Sequence, residues 1–564
     1  MTRSKRARMR DEQLFLVIAI VIGVYSGLAV VGFRIAIEWF RLRALGSSLV
    51  PAYPRVLIVP AATGLIIALL AVRWFPAVRG SGVNQTKAAL YIYDGFISFR
   101  TVVGKFLTSA LAIGSGQSLG PEDPSLQIGA GLASVMGRAL ERRRRDLRYL
   151  APVGAAAGLA AAFNSPITAV LFVIEEVIGR WSAGVLGAVV LAAVSSVVTE
   201  QWFLGDQPLF RVPRYHLAHS SELLAYGALG LIGGGLSLLF VKLIATLRPR
   251  LRALPVWTWY LQPAVAGLAI GVIALRFPQV LGAGYDAIDQ AMHDQFGWKL
   301  LVALCIVKLL ATTTSFVTGT PGGLFAPTLF MGAMLGAAVC GIERLVAPGV
   351  TGPTGAYALV GMGTMFAGIL RAPMTSVFMV VEVSGNYSII LPVMISNTIA
   401  YLVSRRFQHS GLFDLLSRQD GTELPSMEEE REAEITSVGD AMREADAITF
   451  SGAETVDRGV MRSNQVESDY FLVTLGAAEW GAASRAQLKF WQGEGRGSDL
   501  LSTVVPAIAR PYLYPDQSVE VALRMLREQP VAPVVHRADP ARLVGMLAVE
   551  DLLRASSNPP VTLP

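Results

Sequence analysis

The chain of 564 residues is 53% hydrophobic and only 16% charged, with a mean hydropathy of +0.50. Soluble proteins carry about 25% charged residues, so this composition excludes an ordinary soluble protein. Uncharged stretches close to or above the roughly 20 residues that cross a bilayer recur along the chain. They are residues 14–33, 151–174, 182–199, 223–241, 345–370 and 385–404. The sequence therefore predicts a polytopic membrane protein that is all-α within the membrane.

The formal net charge is +6, and basic clusters flank several of these apolar stretches. They lie at residues 1–10, at 139–148 and at Arg405 and Arg406. Short basic flanks mark the cytoplasmic side of a membrane, so we expect all three to face the cytoplasm. This distribution predicts lipid rather than nucleic acid as the partner. The compact loops favour the cell membrane of a prokaryote.

Composition changes near residue 420, where an acidic linker, LPSMEEEREAE, precedes a more polar stretch. We therefore predict a membrane domain at 1–420, a linker at 421–434 and a cytoplasmic domain at 435–564. The only cysteines, Cys305 and Cys340, lie in apolar segments, which indicates neither a disulfide framework nor a metal site.

The membrane part contains an internal repeat. Residues 105–132 align without gaps on 308–335, and residues 153–177 align on 360–384. The identical pairs include Lys105/Lys308, Gly116/Gly319, Gly120/Gly323, Pro124/Pro327, Gly129/Gly332, Gly154/Gly361, Pro166/Pro373 and Glu175/Glu382. Two blocks in the same order indicate a duplicated unit. In transporters such duplication often places the ion site between the repeats, on interrupted helices.

The repeat contains a Gly-x-x-x-Pro element, GPEDP at 120–124 and GLFAP at 323–327. Glycine allows close backbone approach and proline is favoured in the first helical turn, so both elements predict helix N-termini. A third candidate is RGSGVNQ at 79–85, where Ser81 offers a hydroxyl donor. Helix N-termini carry free N–H groups and partial positive charge, which suits an anion. The alternative is that these are ordinary kinks packed against their neighbours.

These motifs resemble those of the CLC family of chloride channels and chloride/proton exchangers. The segment AAAGLAAAFNSPITAVLFVIEEV at 155–177 is similar to a family segment as well. The resemblance implies a duplicated, inverted-repeat helical fold, a homodimer with one anion pathway per subunit, chloride as substrate and no required cofactor. It also implies that Ser81 and the backbone around Gly323, Leu324 and Phe325 bind the anion.

Two acidic residues, Glu122 and Glu176, are candidates for proton handling. By resemblance Glu122 is the gating glutamate, and a carboxylate at a helix N-terminus would compete with chloride for the same N–H groups. The alternative is a simple helix cap. Glu176 matches the internal proton-transfer glutamate of proton-coupled members, although a glutamate reaching the membrane interface is the other interpretation. Glu175 recurs as Glu382 in the second repeat, which favours an architectural role.

Several positions depart from the family pattern. Pro121 and Asp123 replace the residues usually found on either side of the gating glutamate, and Asn84 replaces a proline. Phe413, in HSGLFDLL, occupies the place of a tyrosine whose hydroxyl holds the central anion in other members. A phenyl ring cannot donate a hydrogen bond, and Asp123 adds a second acid. We therefore expect weaker anion binding than in typical members, or an anion other than chloride.

The C-terminal part alternates helical and strand patterns in two copies. A helix at 519–526 precedes strands at 531–535 and 543–547, and a fainter copy has strands at 470–475 and 480–483. This resembles a tandem pair of CBS domains, which often bind adenine nucleotides through a Ser/Thr and an Asp three residues later. The first copy keeps Ser484 and the second keeps Asp551, so each signature is half present. The alternative is a dimerisation or stability module.

The leading functional hypothesis is chloride/proton antiport. A passive voltage- or pH-gated anion channel and a carrier of another anion, such as nitrate or bicarbonate, are the alternatives. A membrane serine protease would need a histidine at membrane depth. The histidines lie outside the long apolar runs, at His216, His219, His293, His409 and His536. We therefore expect no enzyme activity, and the duplicated anion motifs argue against a pure sensor.

Overall fold

A computed structural model describes most of the chain. The described residues are 2–47, 53–140, 144–179, 183–210, 222–347, 351–408, 410–422, 424–425, 438–466, 468–476, 479–508, 512–517, 519–526, 529–537 and 539–552. Some of the sequence predictions lie outside the described residues. They concern His216, His219 and His409, residues 141–143 of the basic loop, and residues 426–434 of the linker. The chain divides into two compact units, Met1–Ser426 and Met427–Pro564, and the division falls inside the predicted linker.

The first unit is helical. Its helices are α1 Thr2–Ala44, α2 Arg55–Arg73, α3 Gly82–Tyr91, α4 Phe99–Gly114, α5 Glu122–Ala139, α6 Arg144–Phe163, α7 Pro166–Phe172, α8 Ala183–Leu204, α9 Glu222–Arg252, α10 Gln262–Ala274, α11 Tyr285–Met292, α12 Trp298–Val317, α13 Phe325–Val346, α14 Thr354–Leu370, α15 Pro373–Ser384, α16 Ile390–Phe407 and α17 Leu412–Gln419. Within the described residues, seven helical segments are long and apolar enough to cross a membrane. This confirms the predicted all-α polytopic class.

Two of the uncharged stretches are not single helices. The stretch at 151–174 breaks after α6, where Asn164 has a φ of 52°, and Pro166 then starts α7. A π-helical segment, Val173–Ile178, follows α7. The stretch at 345–370 contains the end of α13 and all of α14. Hydropathy alone misses such breaks, because a helix interrupted inside the protein remains apolar on both sides.

Glycines at equivalent positions of the two repeats bring paired helices together. A Cβ on Gly129 of α5 would meet the carbonyl oxygen of Gly154 on α6, and a Cβ on Gly332 of α13 would meet that of Gly361 on α14. Small residues permit this close backbone approach in membrane helix pairs. The identical glycines of the two repeats therefore form the same close contact, between α5 and α6 in one half and between α13 and α14 in the other.

The second unit contains two three-stranded sheets. Its strands are β1 Arg443–Glu444, β2 Thr449–Ser451, β3 Tyr470–Gly476, β4 Glu479–Ser484, β5 Val531–His536 and β6 Asp539–Ala548. Its helices are α18 Val438–Ala441, α19 Ala445–Ile448, α20 Val456–Ser463, α21 Arg485–Gly493, α22 Leu501–Val504 and α23 Val519–Leu526. The sheet orders are β2-β3-β4 and β1-β6-β5. Buried Leu472 and Val531 share one apolar cluster, which joins the two α/β halves predicted from the sequence.

Candidate functional site

The two Gly-x-x-x-Pro elements face each other. Gly120 and Gly323 exchange backbone hydrogen bonds, N–H to O in both directions, at 2.8 Å. Helix α5 begins at Glu122 and α13 begins at Phe325, as the sequence predicts for both motifs. Reciprocal contacts between equivalent residues are the signature of a two-fold relation. The duplication therefore brings two helix N-termini to one buried point.

Glu122 bridges this point. It is fully buried, and its Oε2 accepts a hydrogen bond from the N–H of Ala326 at 3.3 Å. Its Oε1 accepts a hydrogen bond from the Tyr285 hydroxyl. The N–H groups that open a helix have no acceptor within the helix, so the start of α13 offers donors at Leu324 and Phe325 too. Glu122 thus lies on the same helix end to which the family resemblance assigns the anion.

Asp123 lies at a third helix N-terminus. Ser81 is the N-cap of α3, as RGSGVNQ predicts, and its Oγ accepts from the N–H of Val83 at 3.1 Å. The same N–H donates to Oδ1 of Asp123 at 2.9 Å. The Ser81 hydroxyl lies 3.4 Å from that oxygen. The second acid beside Glu122 therefore contacts the predicted anion-binding serine directly.

Two buried lysines anchor the loops that lead into this region. Lys105 donates to the carbonyls of Val78 and Gly80 at 3.2 and 3.0 Å. In the second half, Lys308 donates to Val280 and Gly282 at 3.0 and 2.8 Å. Each loop precedes one of the short helices, α3 or α11. The repeated lysines thus fix equivalent loops in the two halves.

Phe413 lies in an aromatic cluster around Phe325. The ring of Phe325 is 6.2 Å from that of Phe413, 5.0 Å from Phe172 and 5.7 Å from Phe366. The Phe413 carbonyl accepts from Nδ2 of Asn84 at 2.8 Å. Two departures from the family pattern, Asn84 and Phe413, therefore contact each other. They join α3 to α17, and the Phe413 side chain provides only apolar surface.

Glu176 belongs to a three-residue ionic cluster with Lys87 and Asp414. The Nζ of Lys87 lies 3.6 Å from Oε1 of Glu176 and 3.4 Å from Oδ1 of Asp414. The Lys87 side chain is only 2% exposed, whereas those of Glu176 and Asp414 are each 14% exposed. Two carboxylates therefore share one buried ammonium, and both carboxylates stay partly exposed.

Glu175 has a different role from its neighbour. Its carboxylate accepts from the N–H groups of Met374 and Thr375 at 3.3 and 2.9 Å, at the start of α15. In the other repeat Glu382 accepts from Ile167 and Thr168 at 3.0 and 2.6 Å, at the start of α7. The two halves thus cap each other's helices. This confirms the architectural role predicted for the repeated glutamate.

Removing one of these caps should destabilise the membrane unit. Glu382→Ala leaves the first N–H groups of α7 without their acceptor, and we expect a loss of about 2 kcal/mol. Thermal unfolding of detergent-solubilised protein, followed by size-exclusion chromatography, measures this loss. Glu382→Gln is the matched control, because it keeps one acceptor oxygen and should lose less. Equal stability of Glu382→Ala and the wild type would contradict the capping role.

A cavity of about 1000 Å³ reaches the neighbourhood of Glu122. Its lining includes Pro121, Tyr285 and two arginines, Arg34 and Arg41. Arg34 pairs with Glu200 at 2.8 Å, and Arg41 pairs with Glu38 at 2.6 Å. Tyr285 both lines this cavity and donates to Glu122. The cavity therefore ends one side chain away from the buried carboxylate.

The two nucleotide-binding candidates of the second unit are engaged locally. Ser484 is the N-cap of α21 and forms a capping box with Gln487. Asp551 pairs with Arg443 at 2.6 Å and accepts from the N–H of Ala548 at 3.0 Å. Each side chain therefore forms its hydrogen bonds or ion pair within its own half of the unit. Nucleotide binding there stays a prediction.

Sequence reasoning missed Tyr285, Lys87 and Asp414. The signal for Tyr285 was present, because FPAVRGSG at 75–82 and FPQVLGAG at 277–284 form a third repeated block. That block places α11, which begins at Tyr285, as the counterpart of α3. Lys87 and Asp414 lie 327 positions apart in the chain and carry no shared motif. Only the fold brings them together.

A duplicated helical bundle with interrupted helices meeting between its repeats is an architecture of membrane transport proteins. Residues 63–405 match the family described as voltage gated chloride channel. The chain belongs to this family, the CLC proteins, and has its duplicated, inverted-repeat fold. Residues 501–558 match the CBS domain. The family consists of channels and exchangers rather than enzymes.

Three similar proteins illustrate the relationship. A ClcB-like chloride channel protein of Ralstonia nicotianae is 31% identical, over 69% of this chain and 93% of the relative. The H(+)/Cl(-) exchange transporter ClcA of Vibrio campbellii is 30% identical, over 69% of this chain and 86% of the relative. A solved eukaryotic CLC transporter has a TM-score of 0.63 at 22% identity, and the match covers 95% of this chain and 97% of that structure. The last likeness establishes the fold over both units.

Proposed function

We propose that this protein is a secondary transporter that exchanges chloride for protons across the membrane. The observation that carries the proposal is the position of Glu122. Its carboxylate binds the N–H of Ala326 at the start of α13, where the family resemblance places chloride. Carboxylate and chloride are then alternative ligands of one helix end. Protonation neutralises the carboxylate and favours the free anion, which links anion movement to proton movement.

The Glu176 cluster supports the second half of this mechanism. Exchange requires protons to cross the whole membrane. Their route to Glu122 need not be the route of the anion. Glu176 is 14% exposed and shares Lys87 with Asp414, so it can take a proton from water. The relationship to an exchange transporter points to the same function. Glu122 and Glu176 are thus the proposed proton-carrying residues at the two ends of the route.

The anion would be held by Ser81 and by the backbone of Gly323, Leu324 and Phe325. Three helix N-termini, those of α3, α5 and α13, converge on this region, and their dipoles favour negative charge. Phe413 closes one side with an apolar ring and donates nothing. The proposed site therefore relies on backbone N–H groups and one hydroxyl.

The topology and assembly follow from the family and the basic flanks. We place the N-terminus and the CBS unit in the cytoplasm and the protein in the cell membrane as a homodimer. Chloride and protons are the proposed substrates, and no cofactor is required. An adenine nucleotide remains the proposed ligand of the CBS unit, through Ser484 and Asp551.

A chloride gradient across liposomes that contain the purified protein tests the exchange. With no proton gradient imposed at the start, we expect outward chloride movement to drive proton uptake into the liposomes. A protonophore should abolish the resulting pH change. Protein-free liposomes are the control. Chloride movement without proton movement would instead indicate a passive channel or an uncoupled carrier; the name of the ClcB-like relative points to the channel. No chloride movement would refute both and direct the assay to nitrate and bicarbonate.

A further inference from the structure

The first turn of α3 already has an anionic ligand within the chain. Asp123 places Oδ1 2.9 Å from the N–H nitrogen of Val83 and 3.4 Å from the Ser81 hydroxyl. The Ser81 hydroxyl is one of the donors that the proposed function assigns to the transported anion, and the N–H of Val83 lies beside it at 3.1 Å. Asp123 is 2% exposed and Ser81 is 3% exposed, so bulk water does not compete for these hydrogen bonds.

The two neighbouring acids serve different helices. Glu122 reaches α13 through Ala326, whereas Asp123 reaches α3 through Val83. The repeat shows that the fold does not require this second acid, because the residue aligned with Asp123 is Ala326 in the other half. The duplicated fold therefore does not require an acid at position 123, which indicates a role specific to this half.

The length of the side chain distinguishes the two carboxylates. Glutamate has an additional rotatable bond, so Glu122 can leave its helix end without moving the backbone. Asp123 is shorter, and its Cβ is held against Gly323, where an added glycine Cβ would lie only 2.8 Å away. Its carboxylate therefore stays near α3 in conditions where Glu122 can swing away.

We propose that Asp123 lowers the affinity for the transported anion, because it occupies the α3 end of the anion site as a tethered competitor. This inference rests on the proposed function and deepens it. A free anion can use Ser81 and the N–H of Val83 only by displacing a carboxylate that is attached beside them. A tethered competitor acts at an effective concentration in the millimolar range or above, so free chloride binds weakly at this end.

Chloride binding to purified protein, measured by isothermal titration calorimetry, tests the inference. Asp123→Asn removes the charge with little change in shape, and we expect chloride affinity to rise by about tenfold or more. Asp123→Gly, tested in parallel, removes the side chain and should give the same direction. Asp289→Asn is the matched control, because Asp289 is an exposed residue on α11 that makes no contact with Ser81. We expect its affinity to equal that of the wild type.

The outcomes separate the inference from the proposed function. An unchanged or weaker affinity in folded Asp123→Asn and Asp123→Gly, together with chloride transport by the wild type, would overturn the competitor role and leave the function intact. Absence of chloride transport by the wild type would refute the proposed function itself. Size-exclusion profiles identify folded variants, and the two substitutions differ enough in shape that one misfolded variant leaves the other as the test.

Discussion

Glu176→Gln is expected to stop proton movement while chloride movement continues. The substitution keeps the shape of the side chain but removes its ability to carry a proton. Lys87 then keeps Asp414 as its carboxylate partner, at 3.4 Å, so the buried ammonium remains paired and the local packing survives. We expect chloride-driven proton uptake in liposomes to fall by about 100-fold, the scale at which a positioned proton donor acts.

The adjacent residue provides the comparison for this variant. Glu175→Gln makes the same chemical change one position earlier, but the Glu175 carboxylate caps α15 through Met374 and Thr375. We expect Glu175→Gln to retain proton coupling and to lose some thermal stability. Full proton uptake by Glu176→Gln would show that protons enter elsewhere. Asp414 would then be the next candidate, since it shares the same lysine.

Local sequence rules predicted the helix N-termini correctly. GPEDP, GLFAP and RGSGVNQ each begin a helix where glycine and proline chemistry indicates one. These rules act over a few residues, so they hold without knowledge of the tertiary structure. The duplication added to these rules, because the identity of Glu175 and Glu382 indicated an architectural role for the repeated glutamate.

The direction of individual side chains could not be predicted. The sequence shows Glu122 and Asp123 side by side, but nothing in it indicates that one contacts α13 and the other α3. That separation depends on how α5 is placed between two helix ends, which is a property of the packed bundle. The contact between Asn84 and Phe413 is similar, because it joins residues 329 positions apart.

Interrupted helices were the part of the fold that was hardest to predict from the sequence. Residues 151–174 carry no charge, yet they form two helices and the start of a π-helical segment. The π-helical segment, Val173–Ile178, contains both Glu175 and Glu176. Single-turn π segments occur frequently at functional sites, and this one directs adjacent glutamates to different partners.

Glu122→Gln is expected to uncouple chloride from protons completely. The neutral amide can no longer compete as an anion for the N–H of Ala326, and it cannot take up a proton. We therefore expect proton uptake to fall by about 100-fold or more, and chloride movement to become independent of pH. Parallel recordings of chloride efflux and internal pH at several external pH values measure both effects.

Tyr285→Phe is the matched variant for this prediction. It removes the hydroxyl that donates to Glu122 but leaves the carboxylate in place, so coupling should persist while the carboxylate leaves α13 more readily. Proton uptake that survives in Glu122→Gln would make Asp123, the other acid of this turn, the next candidate. The double variant with Asp123→Asn tests this candidate. Because the two carboxylates contact different helices, loss of coupling only in the double variant would mean that either the α13 end or the α3 end can exchange anion for proton.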